Sequence, residues 1–173
     1  MSRWTENSVS IGGQIIKSQG KTLHYNAMAE TWLVGEDAGQ LKIDFSTDVN
    51  FPLFGDTVTL AAKAYFYRLN PTFYQRHYHS KHIWWDNNDM SMETRTRIEG
   101  LFSYRKTKTS LRVAIEEIQN YTYFSTYYDA TTSGRSNMTA AVNQHGGNIN
   151  LLTAQLSQDI RLGILNWENK ITY

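Results

Sequence analysis

The 173-residue chain has no cysteine and only two prolines, and its charges nearly cancel, 17 Lys and Arg against 16 Asp and Glu. Without cysteine there is neither a disulfide framework nor a thiolate metal site. A formal net charge of +1 gives no global pull toward nucleic acid or anionic lipid, so no nucleic-acid partner is expected. No apolar run approaches the roughly 18 residues of a membrane-spanning helix. Met1 to Ser10 lacks the apolar segment of a signal peptide. A protein bound for the outer membrane is therefore expected to carry further sequence at its N-terminus. The mean hydropathy of −0.52 would ordinarily suggest a soluble protein. That average misleads for chains whose strands alternate lipid-facing and lumen-facing residues.

What is present is a period of two. Leu41, Ile43, Phe45, Val49 and Phe51 share one parity, while Lys42, Asp44, Ser46, Asp48 and Asn50 share the other. Side chains of a strand alternate between its faces, so one face is apolar and the other charged. Val58, Leu60, Ala62, Ala64 and Phe66 repeat the pattern against Thr57, Thr59, Lys63, Tyr65 and Tyr67. Similar runs occur around Val9–Ile15, Leu23–Leu33, Glu93–Tyr104, Leu111–Glu116, Leu152–Leu162 and Trp167–Tyr173, eight candidate strands in all. Parity breaks after Glu116, where a bulge or the membrane boundary is expected.

Connections alternate in length. Ser18–Lys21, Pro52–Asp56, Arg105–Lys108 and Arg161–Leu165 are short. Gly35–Gly39 is modest, and the segments 70–91 and 124–146 read as long outside loops. Short turns at one end and longer loops at the other are the layout of outer-membrane barrels. Aromatic residues near run ends, among them Phe51, Phe66, Tyr67, Phe102, Tyr104 and Trp167, suit interfacial girdles. The expected fold is all-β, an antiparallel up-and-down transmembrane β-barrel, with 1–173 a single partial barrel domain of about eight strands.

The segment KAYFYRLNPTFYQRHYHSKHIWWDNN over Lys63–Asn88 is distinctive, followed by Arg95–Gly100, Glu117–Tyr121 and Gly163–Asn169. From about Gly39 to Tyr173 the chain resembles the Bacteroidetes family known as the putative porins. The resemblance implies an outer-membrane β-barrel in the bacterial outer membrane and no catalytic residues. Family members are longer, so the chain resembles an internal or C-terminal piece.

The charged parity carries Glu30, Lys42, Asp44, Asp48, Lys63, Arg95, Arg97, Glu99, Arg112, Glu116, Glu168 and Lys170. In a barrel these line the lumen, because Lys or Arg at the lipid-facing midplane costs roughly 2–4 kcal/mol. They either tune solute passage or pair across strands and fill a narrow interior. His77, His79 and His82 have the spacing of an imidazole zinc set, but an inward-folded constriction loop or an ordinary surface loop suits them better. Trp84 and Trp85 could stack on sugars or pack within that loop. No nucleophile elbow, phosphate loop or dinucleotide fingerprint occurs, so neither catalysis nor a cofactor is expected. The expected role is passive diffusion of small solutes through a porin-like channel, with outer-membrane lipid as partner and self-association left open. The alternative is a soluble or surface β-protein that binds glycans.

Overall fold

The alternating runs resolve into strands of one antiparallel meander. The computed structural model describes residues 5–53, 55–130 and 136–173, and for 127–130, 136–138, 161 and 162 the backbone only. In chain order the elements are β1 (Ser8–Lys17), β2 (Leu23–Gly35), β3 (Leu41–Leu53), β4 (Asp56–Leu69), α1 (Phe73–Arg76), β5 (His77–His79), β6 (Trp84–Asp86), β7 (Glu93–Tyr104), β8 (Thr109–Ala130), β9 (Ser136–Leu162) and β10 (Leu165–Thr172). The main sheet has the order β1-β2-β3-β4-β7-β8-β9-β10, and β5 with β6 forms a separate hairpin. The four short turns fall where the turn residues predict them.

One expectation is met in part and another needs correction. The sheet is open: β1 and β10 are its edges and are not paired with each other. Eight strands close around an interior just filled by side chains, whereas this charged face carries an open cavity of ≈ 560 Å³ along its middle strands. The stretch 124–146, read as a loop, is mostly ladder, because β8 continues to Ala130 and β9 begins at Ser136. Its Thr, Ser, Asn and Tyr residues give no hydropathy alternation, yet Thr and Tyr suit extended pairing. The paired stretch beyond Tyr121 projects past the rest of the sheet by roughly 30 Å at about 3.3 Å per residue.

The register shows why parity fails near Glu116. Pairing is continuous through Glu117 and Gln119, and the irregularity comes later, between Gln119 and Tyr121. Glu117 lies on the otherwise apolar face beside Thr96 and Asn150. The break is therefore the edge of the apolar band, with a bulge three residues beyond it. Asn120 occupies that bulge at φ 55°, and its Nδ2 donates to the Met92 carbonyl at 3.0 Å. Asn tolerates this left-handed conformation, whereas a β-branched residue does not. Asn120→Val is expected to destabilise the protein by roughly 1–2 kcal/mol, while Asn120→Gly loses less. Denaturant titration of the two variants separates backbone strain from the lost hydrogen bond.

The apolar face follows from the ladder. Ile15, Ala27, Phe45, Ala64, Ile98, Ile115 and Leu152 form one continuous row across seven strands. A second row runs Leu23, Val49, Leu60, Phe102, Leu111, Leu156 and Ile171. These side chains are uncovered: Ile98 is 64% and Ile115 60% exposed. Among the described residues the only buried hydrophobics are Val58, Ala114 and Ile118. No helix among them is long and apolar enough to cross a membrane.

Candidate functional site

The opposite face is polar because the same alternation turns every second residue toward it. Opposite one another across β3, β4, β7 and β8 stand Asp44, Tyr65, Arg97 and Glu116. The next row on this face carries Ser46, Lys63, Glu99 and Ala114. Cross-strand neighbours at this spacing can pair directly. Arg97 donates to Glu99 at 2.9 Å and to Glu116 at 3.1 Å, and Arg112 donates to Glu99 at 2.6 Å. The hydroxyl of Tyr65 donates to Glu116 at 2.9 Å, and that of Tyr67 donates to Asp44. The two tyrosine rings stack, with centroids 4.5 Å apart. The cavity spans β2, β3, β4, β7 and β8 and is lined by Asn26, Asp44, Lys63, Arg97, Glu99 and Arg112 among others.

The remaining charged residues lie around this centre. Glu30 accepts from Ser10, and Lys42 sits over the Trp32 ring at 5.0 Å. Asp48 meets His24 Nδ1 at 2.7 Å. Arg95 donates to Glu93 and lies over the Tyr121 ring. Glu168 and Lys170 do not join the cluster: on β10 they face Asp159 and Ser157. Tyr65 and Tyr67 belong to the centre although the sequence reading placed Tyr67 in an aromatic girdle. Their shared parity with Lys63 was the signal that assigns them to the polar face.

The segment between β4 and β7 is an ordered insert. Arg76 is buried, donates to the Pro71 carbonyl at 3.0 Å and pairs with both carboxylate oxygens of Glu6 at 3.0 Å. His77 is also buried and holds Asp86 at 2.6 Å across the hairpin. Trp85 stacks on Tyr78, packs near Phe124 of β8 and donates from its indole to the Tyr74 carbonyl at 2.9 Å. Trp84 is 70% exposed, with His79 against its edge. His77, His79 and His82 are not gathered into a ligand set: among the described residues no group of three or more His, Asp or Glu could hold a metal. Glu6 precedes β1, and Phe124 belongs to β8, with β2, β3, β4 and β7 between them in the sheet. An insert touching both must lie across the end of the sheet rather than stand away from it. The chain before β1 is held there by a close approach: a Cβ on Gly35, at φ 99°, would lie 1.9 Å from the Asn7 carbonyl oxygen.

A one-sided apolar meander with a charged opposite face is now joined by a direct comparison. A family model described as "Putative porin" matches residues 1–173. The chain belongs to this family. No curated protein and no solved structure matches it. Family membership accounts for an all-β antiparallel chain with almost no helix, and it gives the two faces a common reading in a porin-like protein.

Proposed function

We propose that the chain forms the wall of a water-filled channel in the bacterial outer membrane, through which small solutes diffuse passively. The apolar band is the observation that carries this reading. On β1 the apolar positions end at Ile15, and Lys17 follows on the same face; on β3 they run from Leu41 to Phe51, and on β9 from Leu152 to Ile160. Traced through ladder partners, the band slides toward the short-turn end by roughly one residue per strand. A slip of about 3.3 Å along a strand for each ~4.8 Å across the sheet equals a strand tilt of about 35° relative to the band. Outer-membrane barrel strands are tilted by roughly 35–45°. A soluble sheet has no reason to stagger its apolar face in this way, nor to leave it uncovered.

The open edges β1 and β10 are then completed by further strands, so that the lumen belongs to a larger barrel than these eight strands make. The charged face becomes the lumen wall, with Glu30, Lys42, Asp44, Asp48, Lys63, Arg95, Arg97, Glu99, Arg112 and Glu116 lining its middle and Glu168 and Lys170 its flank. The β5–β6 insert and the projecting β8–β9 hairpin mark the outer end. The insert, with His77, His79, His82, Trp84 and Trp85, narrows the entrance. The work is done by a polar wall and a restricted mouth, with no chemical step.

Solubility only in detergent, heat-modifiable migration on a gel and ion conductance in a planar bilayer are the expected properties. A monodisperse protein in plain buffer overturns the reading. Arg76→Gln tests the mouth. It breaks the ion pair with Glu6, so single-channel conductance is expected to rise and trypsin to cut faster beside Lys81. Unchanged conductance with faster cleavage would place the insert outside the solute path.

A further inference from the structure

The wall cluster is not uniformly paired. Arg97, Arg112, Glu99 and Glu116 neutralise one another through three ion pairs. Asp44 and Lys63 line the same cavity without being bonded into that network, although Lys63 faces Glu99 across the ladder. Among the described residues no cation lies within 4.0 Å of the Asp44 carboxylate and no carboxylate within 4.0 Å of the Lys63 ammonium. Asp44 accepts one hydrogen bond, from Tyr67 to Oδ1, which leaves Oδ2 free to accept another. Arg112, which donates to Glu99, lines the same cavity.

Asp44 faces Tyr65 across β3 and β4, and Lys63 lies two residues farther along β4. Diagonal neighbours of this kind have Cα atoms roughly 7–8 Å apart. One cavity thus presents a carboxylate and, a short distance away, an ammonium, neither of them ion-paired among the described residues. A purely anionic solute would meet Asp44, and a purely cationic one would meet Lys63. A solute carrying both charges on a short backbone satisfies both ends at once.

We propose that this cavity is a binding subsite for zwitterionic solutes, namely free α-amino acids and short peptides. Asp44 takes the solute's ammonium and Lys63 takes its carboxylate. Tyr65, which faces Asp44 and is stacked on Tyr67, lines the cavity between them, and the paired Arg97, Glu99 and Glu116 hold the wall rigid. The inference rests on the charged face lining an aqueous lumen.

The test is calorimetric titration of the detergent-solubilised full chain with alanylalanine, its N-acetyl form, its C-amide form and the doubly blocked form. Saturable binding is expected for the free dipeptide. Each singly blocked form should bind more weakly by roughly tenfold or more, since each loses a charge-assisted contact. Asp44→Asn should erase the preference for the free form over the N-acetyl form, and Lys63→Gln the preference over the C-amide. Heat-modifiable migration shows that both variants are folded. Equal binding of all four forms, or no saturable binding of the free dipeptide, overturns the subsite. Bilayer conductance in potassium chloride is measured on the same preparations. Conductance without dipeptide binding removes the subsite and leaves the channel; dipeptide binding without conductance removes the channel and leaves the subsite.

Discussion

Phe45→Arg is expected to stop the protein from assembling in a bilayer. Phe45 lies midway along the apolar run Leu41–Phe51 of β3, between Ala27 and Ala64 in the ladder, and is 42% exposed. At such exposure in water the substitution would change stability by no more than about 0.5 kcal/mol. Facing hydrocarbon at the midplane, arginine costs roughly 2–4 kcal/mol. The two environments therefore predict opposite outcomes from one variant. Ser46→Arg, at the next position of β3 and on the charged face, is the control, and it is expected to assemble and to shift ion selectivity toward anions. Folding into lipid vesicles, read by heat-modifiable migration and urea titration, decides the matter. Equal behaviour of the two variants would contradict the assignment of the faces.

Glu99→Gln is expected to have the second largest effect. Glu99 is the hub of the wall, because one of its oxygens accepts from both Arg97 and Arg112. Its side chain is 11% exposed and that of Arg112 42%. Removing one partner of a fully buried pair costs about 3–5 kcal/mol, and the exposure of Arg112 reduces this to about 2 kcal/mol. The variant leaves two guanidinium groups without their shared carboxylate. Urea titration in lipid should show the lost stability, and reversal potentials in a salt gradient should move toward anion preference. A reversal potential unchanged from the parent would mean that ions do not pass this wall.

Much of the fold was legible because the alternation is local. Leu41 to Phe51 and Val58 to Phe66 reveal their two faces without any knowledge of neighbours, and the four short turns fix the meander. The register followed from the same residues, since a slip by one position would expose Lys42 and Asp44 where Ile43 and Phe45 belong. The projecting β8–β9 ladder was not legible: its residues are polar on both faces, and pairing there is set by the partner strand rather than by a hydropathy period. The pairing of the wall was hidden for another reason. Sequence placed Arg97, Glu99, Arg112 and Glu116 on one face, but which of them meet depends on the register between β7 and β8. Parity put Tyr65 and Tyr67 on the polar face, but Tyr67 near its strand end also suited a girdle, and their bonds to Glu116 and Asp44 depend on partners in other strands. Glu6 was invisible as a partner of Arg76, since nothing in a short polar stretch before a strand points to a residue 70 positions away.

That separation has a kinetic meaning. Every neighbour in the main sheet is also the next strand in the chain, apart from the step across the insert, so the ladder is assembled from hairpins whose ends are already close. Closing short loops costs little entropy, and contacts of this kind form early. The clamp of Glu6 on Arg76 and His77 joins points 70 and 71 residues apart, and it closes across β1 to β4. It acts as the last fastener of this part of the sheet, slowing unfolding while leaving the rate of assembly to the turns.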